Sequence, residues 1–199
     1  MTPKTKTSEG SREKLIEATI ELMSAHGFEP MGISAILEKS GVTKSNFYYH
    51  FKSKEELCLA ALDEMESKFF DELLVPALSD KSRTPKERLL YLYTCMIDKM
   101  VKNCCDKGCP FVNLATETSD FHPLFREKID AYYKNYTAEL AKVIDEGMKS
   151  GEFRKDISAP EAANLLIASI NGTIVLAKVK KDADIMKKNL NLTLQLISK

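Results

Sequence analysis

Residues 41–57 read GVTKSNFYYHFKSKEEL, and this stretch decides how the amino-terminal part of the chain folds. Five consecutive rings stand in it, FYYHF at residues 47–51. A helix turns consecutive side chains around its whole circumference, so five neighbouring rings cannot all face one core. Phe47 and Phe51 are four residues apart and therefore share a face. We predict that these two anchor a short helix from about Lys44 to His50, and that the rings between them face outward.

Glycines and a cap divide the sequence around this stretch into three short helices. The first is expected from about Ser11 to His26, where an apolar stripe repeats with the helical period and Gly27 follows. The second, from about Ile33 to Lys39, ends at Gly41, and Thr43 is suited to cap the third. Two short helices joined by a turn that contains glycine are typical of the helix-turn-helix motif.

The charge of the chain is balanced overall but not locally. There are 29 basic and 29 acidic residues, so the composition lacks the strong basic excess that points to a polyanionic partner. From Lys39 to Lys54, however, there are four lysines and no acid. Lysines and hydroxyls suit phosphate oxygens, and Ser and Asn side chains suit base edges. The stretch is therefore either a nucleic-acid-binding surface or the solvated edge of a small helical core.

The same stretch resembles the helix-turn-helix of the tetracycline-repressor (TetR) family of transcriptional regulators, whose pattern is roughly G-V-S-K-G-T-L-Y-x-H-F-x-S-K-E-x-L. The positions that agree in residue type and spacing are Gly41, Val42, Lys44, Tyr48, His50, Phe51, Ser53, Lys54, Glu55 and Leu57. Asn46 and Phe47 depart from the pattern, in which Thr and Leu are commoner. The resemblance therefore gives no base preference for Asn46.

This resemblance implies that the helix from Lys44 to His50 enters the major groove of double-stranded DNA. The residues implied near bases are Thr43, Lys44, Ser45 and Asn46. The residues implied on phosphates are Tyr48, Tyr49, His50 and Lys54. The implied function is a ligand-responsive regulator, a repressor that leaves its operator when a small molecule or a reactive electrophile binds. The implied partners are a pseudo-palindromic operator, a small-molecule effector and a second copy of the chain.

The helical period continues through the rest of the chain, which predicts an all-α protein of about nine helices. Residues 84–87, TPKE, and 158–161, SAPE, each combine a capping box with proline at the first helical position. A helix from about Lys54 is expected to end at Pro76, and the later ones are expected at about 84–103, 111–118, 123–150, 160–181 and 183–197. The predicted organisation is a flexible arm at residues 1–10, the helix-turn-helix domain at 11–57, and a ligand-binding and dimerisation domain at 58–199.

The two carboxy-terminal helices carry the predicted dimer interface. The helix from about Pro160 to Lys181 mixes bulky apolar residues with small ones, a combination that lets a partner helix approach closely. With the last helix it would form a four-helix interface with its copy, as the resemblance implies. The residues predicted to form it are Leu166, Ile170, Ile174, Leu190 and Leu194. The alternative is that these residues pack within one chain.

A second resemblance concerns residues 108–120, GCPFVNLATETSD, with 170–179, INGTIVLAKV. Together they resemble one TetR subclass, some of whose members respond to reactive electrophiles, quinones or small unsaturated acids. Lysines flank Cys104, Cys105 and Cys109, and a nearby cation favours the reactive thiolate, whereas a cysteine that only packs is the alternative. The predicted effector site consists of Met96, Met100, Cys109, Phe111, Asn113, Glu117, Phe125, Tyr132 and Tyr136. Met and aromatic stripes at helical spacing also form plain core, which is the alternative for the whole set.

Other functions have weaker support in the sequence. No cofactor or metal site is expected, because three cysteines with the distant His122 lack a C-x-x-C pair. An enzyme is disfavoured by three scattered histidines and by the lack of a Gly-rich phosphate loop or a G-x-S-x-G motif. A helical adaptor that binds only proteins is the other alternative. The polar start and an apolar stretch at 162–177 shorter than about 20 residues favour a cytoplasmic protein without a membrane segment.

Overall fold

The computed structural model describes residues 6–102 and 108–199, and in them the chain is all-α as predicted. These residues form ten α-helices and one π-helical segment, which lies between the fourth and fifth helices. The helices are α1 (Lys6–His26), α2 (Ile33–Ser40), α3 (Lys44–His50), α4 (Lys54–Phe69), the π-helical segment (Phe70–Leu74), α5 (Val75–Ser79), α6 (Pro85–Lys102), α7 (Pro110–Thr118), α8 (Pro123–Ser150), α9 (Ala159–Lys180) and α10 (Asp184–Ile197).

Two helix boundaries differ from the sequence prediction. α1 already begins at Lys6, so residues 6–10 are helical and not part of a flexible arm, while residues 1–5 of that predicted arm lie outside the described residues. The polar and charged residues of this segment are compatible with a helix, and the single Gly10 costs only about 1 kcal/mol of helix stability relative to alanine. The helix that begins at Lys54 does not stop at Pro76. Its last turns switch to π-type hydrogen bonds, with the Val75 N–H donating to the Phe70 carbonyl, just before the proline that cannot donate.

By their contacts the residues divide into two compact units. The first unit contains residues up to 67 together with 110–128, and the second contains 68–109 together with 129–199. The predicted boundary at residue 57 is therefore too early, because α4 continues the core of the first unit. The buried side chains that show this are Leu57, Cys58, Ala61 and Leu62. The predicted division also missed that α7 belongs with the helix-turn-helix and not with the second unit.

In the second unit a buried arginine connects three segments. Arg88 of α6 is 2% exposed, and its Nη1 donates to the Leu78 carbonyl at 2.7 Å. Its Nη2 donates to the Glu146 carboxylate of α8, which also accepts from Lys81 Nζ at 2.7 Å. Hydrogen bonds from Lys81 and Arg88 hold the pKa of Glu146 below its usual value. A buried guanidinium needs such partners because an unpaired buried charge is strongly destabilising.

α9 packs against α10, and this packing corrects the predicted interface residues. Leu166, Ile170, Ile174, Leu190 and Leu194 are all between 1% and 6% exposed within the single chain. They form core, because a side chain already covered by its own chain cannot also be covered by a partner. The apolar side chains that face outward on these two helices are Leu165, Val175, Leu176, Val179, Leu192 and Leu196.

One helix of the described ranges, α9, is long and apolar enough to cross a membrane by length and composition alone. Core helices of soluble proteins meet the same criterion. In α9 the apolar composition has two sources, the side chains buried against α10 and the outward-facing apolar residues.

Candidate nucleic-acid interface and effector site

The turn between α2 and α3 is built by one glycine and two hydroxyls. Gly41 ends α2 with φ 67°, in the left-handed region where glycine is favoured, and its N–H donates to the Leu37 carbonyl. The Ser40 hydroxyl accepts from the Val42 N–H at 3.3 Å. Thr43 then caps α3, and its hydroxyl accepts from the Asn46 N–H at 3.4 Å. The start of α3 is thereby fixed relative to the end of α2.

The rings of α3 divide between the core and the solvent as predicted. Phe47 is 0% exposed and Phe51 is 3% exposed, with their centroids 6.4 Å apart. Tyr48 is 51% exposed and Tyr49 is 75% exposed. The side chains that share this open surface are Thr43, Lys44, Ser45 and Asn46. The structure therefore presents a surface of hydroxyls, one amide, one ammonium and two phenols along the exposed side of α3.

His50 occupies an intermediate position at the end of α3. It is half-buried, its ring lies 4.9 Å from that of Tyr49, and its Nε2 is buried with no hydrogen-bond partner among the described residues. A phosphate contact from His50 would therefore have to come from Nδ1. Its role on DNA remains a prediction.

The four lysines of this region are not equivalent in the structure. Lys39 is paired with Glu21 at 2.5 Å. The Nζ of Lys54 donates to the Phe28 carbonyl at 3.0 Å and lies 3.8 Å from the centre of the Phe28 ring. Lys44 and Lys52 are exposed. The Phe28 carbonyl thus competes with a DNA phosphate for Lys54. The ammonium has three N–H donors, however, and only one of them is used here.

One basic residue at this surface was missed by the sequence reasoning. Arg12 of α1 is exposed, and its guanidinium lies 5.4 Å from the centre of the Phe51 ring, at the end of α3. Nothing in the local sequence marks it, because it lies 39 residues before Phe51 in the chain. The packing of α1 on α3 brings the two together. Arg12 therefore joins Lys52 as a candidate for phosphate contact. Lys44, which the resemblance implied near bases, is reassigned to the same group, because its exposed ammonium suits a phosphate oxygen.

Of the predicted effector residues of the first unit, two lie in its core and one holds its backbone. Phe111 and Phe125 are 3% and 0% exposed, while Asn113 is half-buried. Glu117 accepts hydrogen bonds from the Phe28 N–H at 2.8 Å and the Glu29 N–H at 2.6 Å. This corrects the prediction for Glu117, since a carboxylate with both oxygens bound to backbone amides is not presented to an effector.

The other predicted effector residues lie in the second unit, where Tyr132 and Tyr136 form a ring cluster with Phe69. Tyr132 and Tyr136 are buried, and the Tyr136 ring lies 5.2 Å from that of Phe69. The Tyr136 hydroxyl donates to the Met96 sulfur at 3.9 Å. Met100 and Cys109 are half-buried. A small internal cavity of about 10 Å³ lies nearby, lined in part by Tyr93, and has room for about one water.

The thiols of the chain differ in their surroundings. Burial raises the pKa of the Cys58 thiol to about 12, so it is un-ionised at neutral pH. Burial is also the largest cause that raises the pKa of Tyr133 and Tyr136, and a charge on Cys109 contributes to both. Cys109 therefore lies near these two phenols.

Cys104 and Cys105, the other predicted sensor residues, lie outside the described residues. Within the described ranges, no group of three or more His, Cys, Asp or Glu residues is arranged to hold a metal ion.

These features define a helix-turn-helix DNA-binding protein with a second helical unit. Residues 15–61 match the model of the bacterial regulatory proteins of the tetR family, and residues 85–192 match the tetracyclin repressor-like C-terminal domain. The chain belongs to the TetR family, and it is a ligand-responsive, DNA-binding transcriptional regulator.

Individual relatives agree with this family. An HTH-type transcriptional regulator in the lacX 3' region of Lactococcus lactis is 29% identical, over 92% of this chain and 90% of the relative. The HTH-type transcriptional repressor DhaR of Mycobacterium sp. is 27% identical, over 87% and 85% of the two chains. The crystal structure of Escherichia coli NemR in its reduced form shares the fold, with a TM-score of 0.86 at 24% identity, and the match covers 94% of this chain and 97% of that one.

The exposed side of α3 generates a prediction that separates phosphate contacts from base contacts. Lys44→Ala should weaken binding to all DNA sequences alike and reduce the salt slope of log K by about one, because one phosphate contact is lost. Asn46→Ala should change the preferred base at one position by about 1–3 kcal/mol. Anisotropy titrations over a salt series and over single-base operator variants measure both effects. Lys155→Ala, which removes an exposed lysine of the second unit, is the control. Uniform effects from both α3 variants would refute the assignment.

Proposed function

We propose that this chain is a homodimeric transcriptional repressor that leaves its operator when an effector binds to the second unit. The observation that carries the proposal is the exposed side of α3, where Lys44, Ser45 and Asn46 lie beside the exposed Tyr48 and Tyr49. Repression, as opposed to activation, is inferred from the relative DhaR, which is a repressor. Cytoplasmic DNA would be its site of action.

On DNA, α3 would lie in the major groove with its amino-terminal residues toward the bases. Thr43 and Ser45 share a hydrogen bond of 3.2 Å, so their hydroxyls would contact DNA as a pair. Asn46 can donate and accept at once, which suits a bidentate contact to adenine. The phosphate contacts are proposed for Lys44, Tyr48, Tyr49, His50 and Lys54, with Arg12 and Lys52 added from the structure.

A dimer is proposed because one side of α9 is apolar and uncovered. Leu165, Gly172, Leu176 and Val179 follow the helical period, and Val179 is 77% exposed. Apart from the adjacent backbone of α9, no atom of the described residues lies within 4 Å of the position that a Cβ would take on Gly172, so a partner helix could approach the backbone there. On α10, Leu192 and Leu196 are 56% and 54% exposed. A monomer would leave these apolar side chains in water, whereas a symmetric pair would bury them.

The effector is proposed to bind beside the ring cluster of the second unit. The supporting features are Met96, whose sulfur accepts a hydrogen bond from Tyr136, and Cys109, whose charge acts on the Tyr136 phenol. The half-buried Met100 lies one helical turn after Met96 on α6. Thioethers and aromatic rings suit an apolar or aromatic molecule, and a thiol suits an electrophile. The phenol hydroxyls would supply the few polar contacts that orient such a ligand.

Two helices offer a covalent path between the units. α4 continues from residues of the first unit into those of the second, and α8 does the same at residues 128 and 129. An effector that binds the DNA-competent state and a second, DNA-incompetent state equally well would not shift the equilibrium between them. The effector must therefore bind the DNA-incompetent state more tightly. A loss of operator affinity of about 100-fold requires about 2.7 kcal/mol of coupling, which is within the usual range.

The alternative functions predict different behaviour on DNA. A protein-binding adaptor or an enzyme would show no binding to duplex DNA that falls steeply with salt. A repressor would bind one selected sequence from a genomic pool and prevent transcription from it. Selection from such a pool, followed by the salt titration, distinguishes the regulator from both alternatives.

The uncovered side of α9 generates a prediction about assembly. Leu176→Glu should give a monomer by light scattering at micromolar concentration while keeping its helical circular dichroism, because a charge would be buried against the partner. Lys155→Glu, a charge change on an exposed residue outside α9 and α10, should stay dimeric. Leu166→Ala should instead reduce stability by about 2–5 kcal/mol, because it removes core. A dimeric Leu176→Glu would show that the interface lies elsewhere.

The thiol hypothesis generates a prediction about release from DNA. A maleimide adds its alkene carbon to a cysteine sulfur, and it should release the wild type and Cys95→Ser from the operator but not Cys109→Ser. Cys58 should remain unlabelled at neutral pH, because it is fully buried and burial raises the pKa of its thiol. Anisotropy with the intact mass of each sample measures release and labelling together. Equal release of wild type and Cys109→Ser would exclude Cys109 as the sensor.

A further inference from the structure

The turn after α1 is held by a carboxylate that lies 88 and 89 residues away in sequence. Glu117 of α7 accepts from the backbone N–H groups of Phe28 and Glu29 at 2.8 Å and 2.6 Å, one to each oxygen. The charge on the carboxylate strengthens both hydrogen bonds. Because two N–H groups donate side by side, they fix the orientation of the carboxylate relative to the backbone as well as its distance from it. The contact therefore determines the position of the backbone at residues 28 and 29, and not only that of a side chain.

Gly27 makes this contact possible. Its φ of 85° lies in the left-handed region, and a Cβ at this position would stand 2.6 Å from Glu117 Oε2. No real Cβ approaches an oxygen that closely, so any other residue would displace the carboxylate. The sequence thus has a glycine at the point where the carboxylate meets the backbone.

The same turn is held from a second side by the start of α4. Lys54 Nζ donates to the Phe28 carbonyl at 3.0 Å and lies over the Phe28 ring. The Phe28 ring also contacts those of His122 and Phe125, at 5.2 Å and 4.9 Å between centroids. The N–H of Phe28 is therefore bound by Glu117, its carbonyl by Lys54, and its ring by Lys54, His122 and Phe125, all within the first unit.

We infer that Glu117 is a positioning residue for operator binding. It touches no DNA in this assignment. It fixes the turn from which α2 starts four residues later, and α2 in turn sets the angle of α3 through the Gly41 turn. Because α7 carries the carboxylate, a displacement of α7 would release the turn and tilt the recognition helix. The inference rests on the proposed binding of DNA through α3.

Removal of the Glu117 charge can raise or lower the affinity for DNA, and the direction of that change distinguishes positioning from simple electrostatics. DNA is a polyanion, so removal of a nearby carboxylate should strengthen binding if charge alone matters. Positioning predicts the opposite, a weaker complex with an unchanged salt slope, because no phosphate contact is lost. Asp120 is an exposed acid three residues from Glu117, and Asp120→Asn is therefore the matched charge control.

The experiment compares the full-length wild type with Glu117→Gln, Asp120→Asn and Gly27→Ala on one selected operator. Glu117→Gln should bind about tenfold more weakly, which corresponds to the loss of about one charge-assisted hydrogen bond. Gly27→Ala keeps the charge and should also bind more weakly, whereas Asp120→Asn should bind as tightly as the wild type or more tightly. The salt slopes of all four should agree. A Glu117→Gln protein that binds as tightly as the wild type, with an unchanged melting temperature, would overturn the inference.

Hydrogen exchange of the wild type gives a check that needs no variant. The amides of Phe28 and Glu29 should be protected in the free protein, and Glu117→Gln should lose that protection while the amides inside α1 keep theirs. Free exchange of both amides in the wild type would refute the contact itself. A wild type that binds no duplex DNA would instead refute the proposed function, so the two failures are distinguishable.

Discussion

Burial of Phe47 and Phe51 beneath α3 is the interaction on which the DNA-binding surface depends. Both rings are fully or almost fully buried; Phe47 lies within this helix of 7 residues and Phe51 is the extended residue that caps its carboxyl end. A helix this short has no stability of its own in water, so its position comes from these anchors and from its cap. With them fixed, the helical period leaves the intervening tyrosines no direction except outward. The same constraint places Lys44, Ser45 and Asn46 on the open side.

The surroundings of α3 extend this constraint through the first unit. α1 contributes the packing partner of α2 and α3, α4 contributes Lys54, and α7 contributes Glu117. The geometry of the recognition helix thus depends on segments from both ends of that unit's sequence. This explains why the unit that carries the proposed DNA-contacting residues also includes residues 110–128. It also gives α7 a route to influence DNA binding that requires no contact with DNA.

Local signals in the sequence were sufficient for the helices and for the sides of α3. The caps at Thr43 and Ser158 and the prolines at helix starts predicted where helices begin, and α3 and α8 have the predicted bounds. The sequence predictions failed where a contact joins residues that are distant in sequence. Lys54 and Glu117 have ordinary polar surroundings in sequence, and only the fold brings them to Phe28. On α9 both sides are apolar, so periodicity alone could not tell that Leu166 faces inward and Leu165 outward.

Whether a dimer reads the operator through α3 can be tested by a hydroxyl-radical footprint of the full-length protein on its selected operator, combined with the mass of the complex. Two copies of α3 related by a two-fold axis should protect two half-sites whose centres are about 34–36 Å apart, or slightly more, on one face of the duplex. The mass should correspond to two chains for each duplex. A single asymmetric half-site at every protein concentration, with one chain bound, would contradict the claim that a dimer reads the operator through the exposed side of α3.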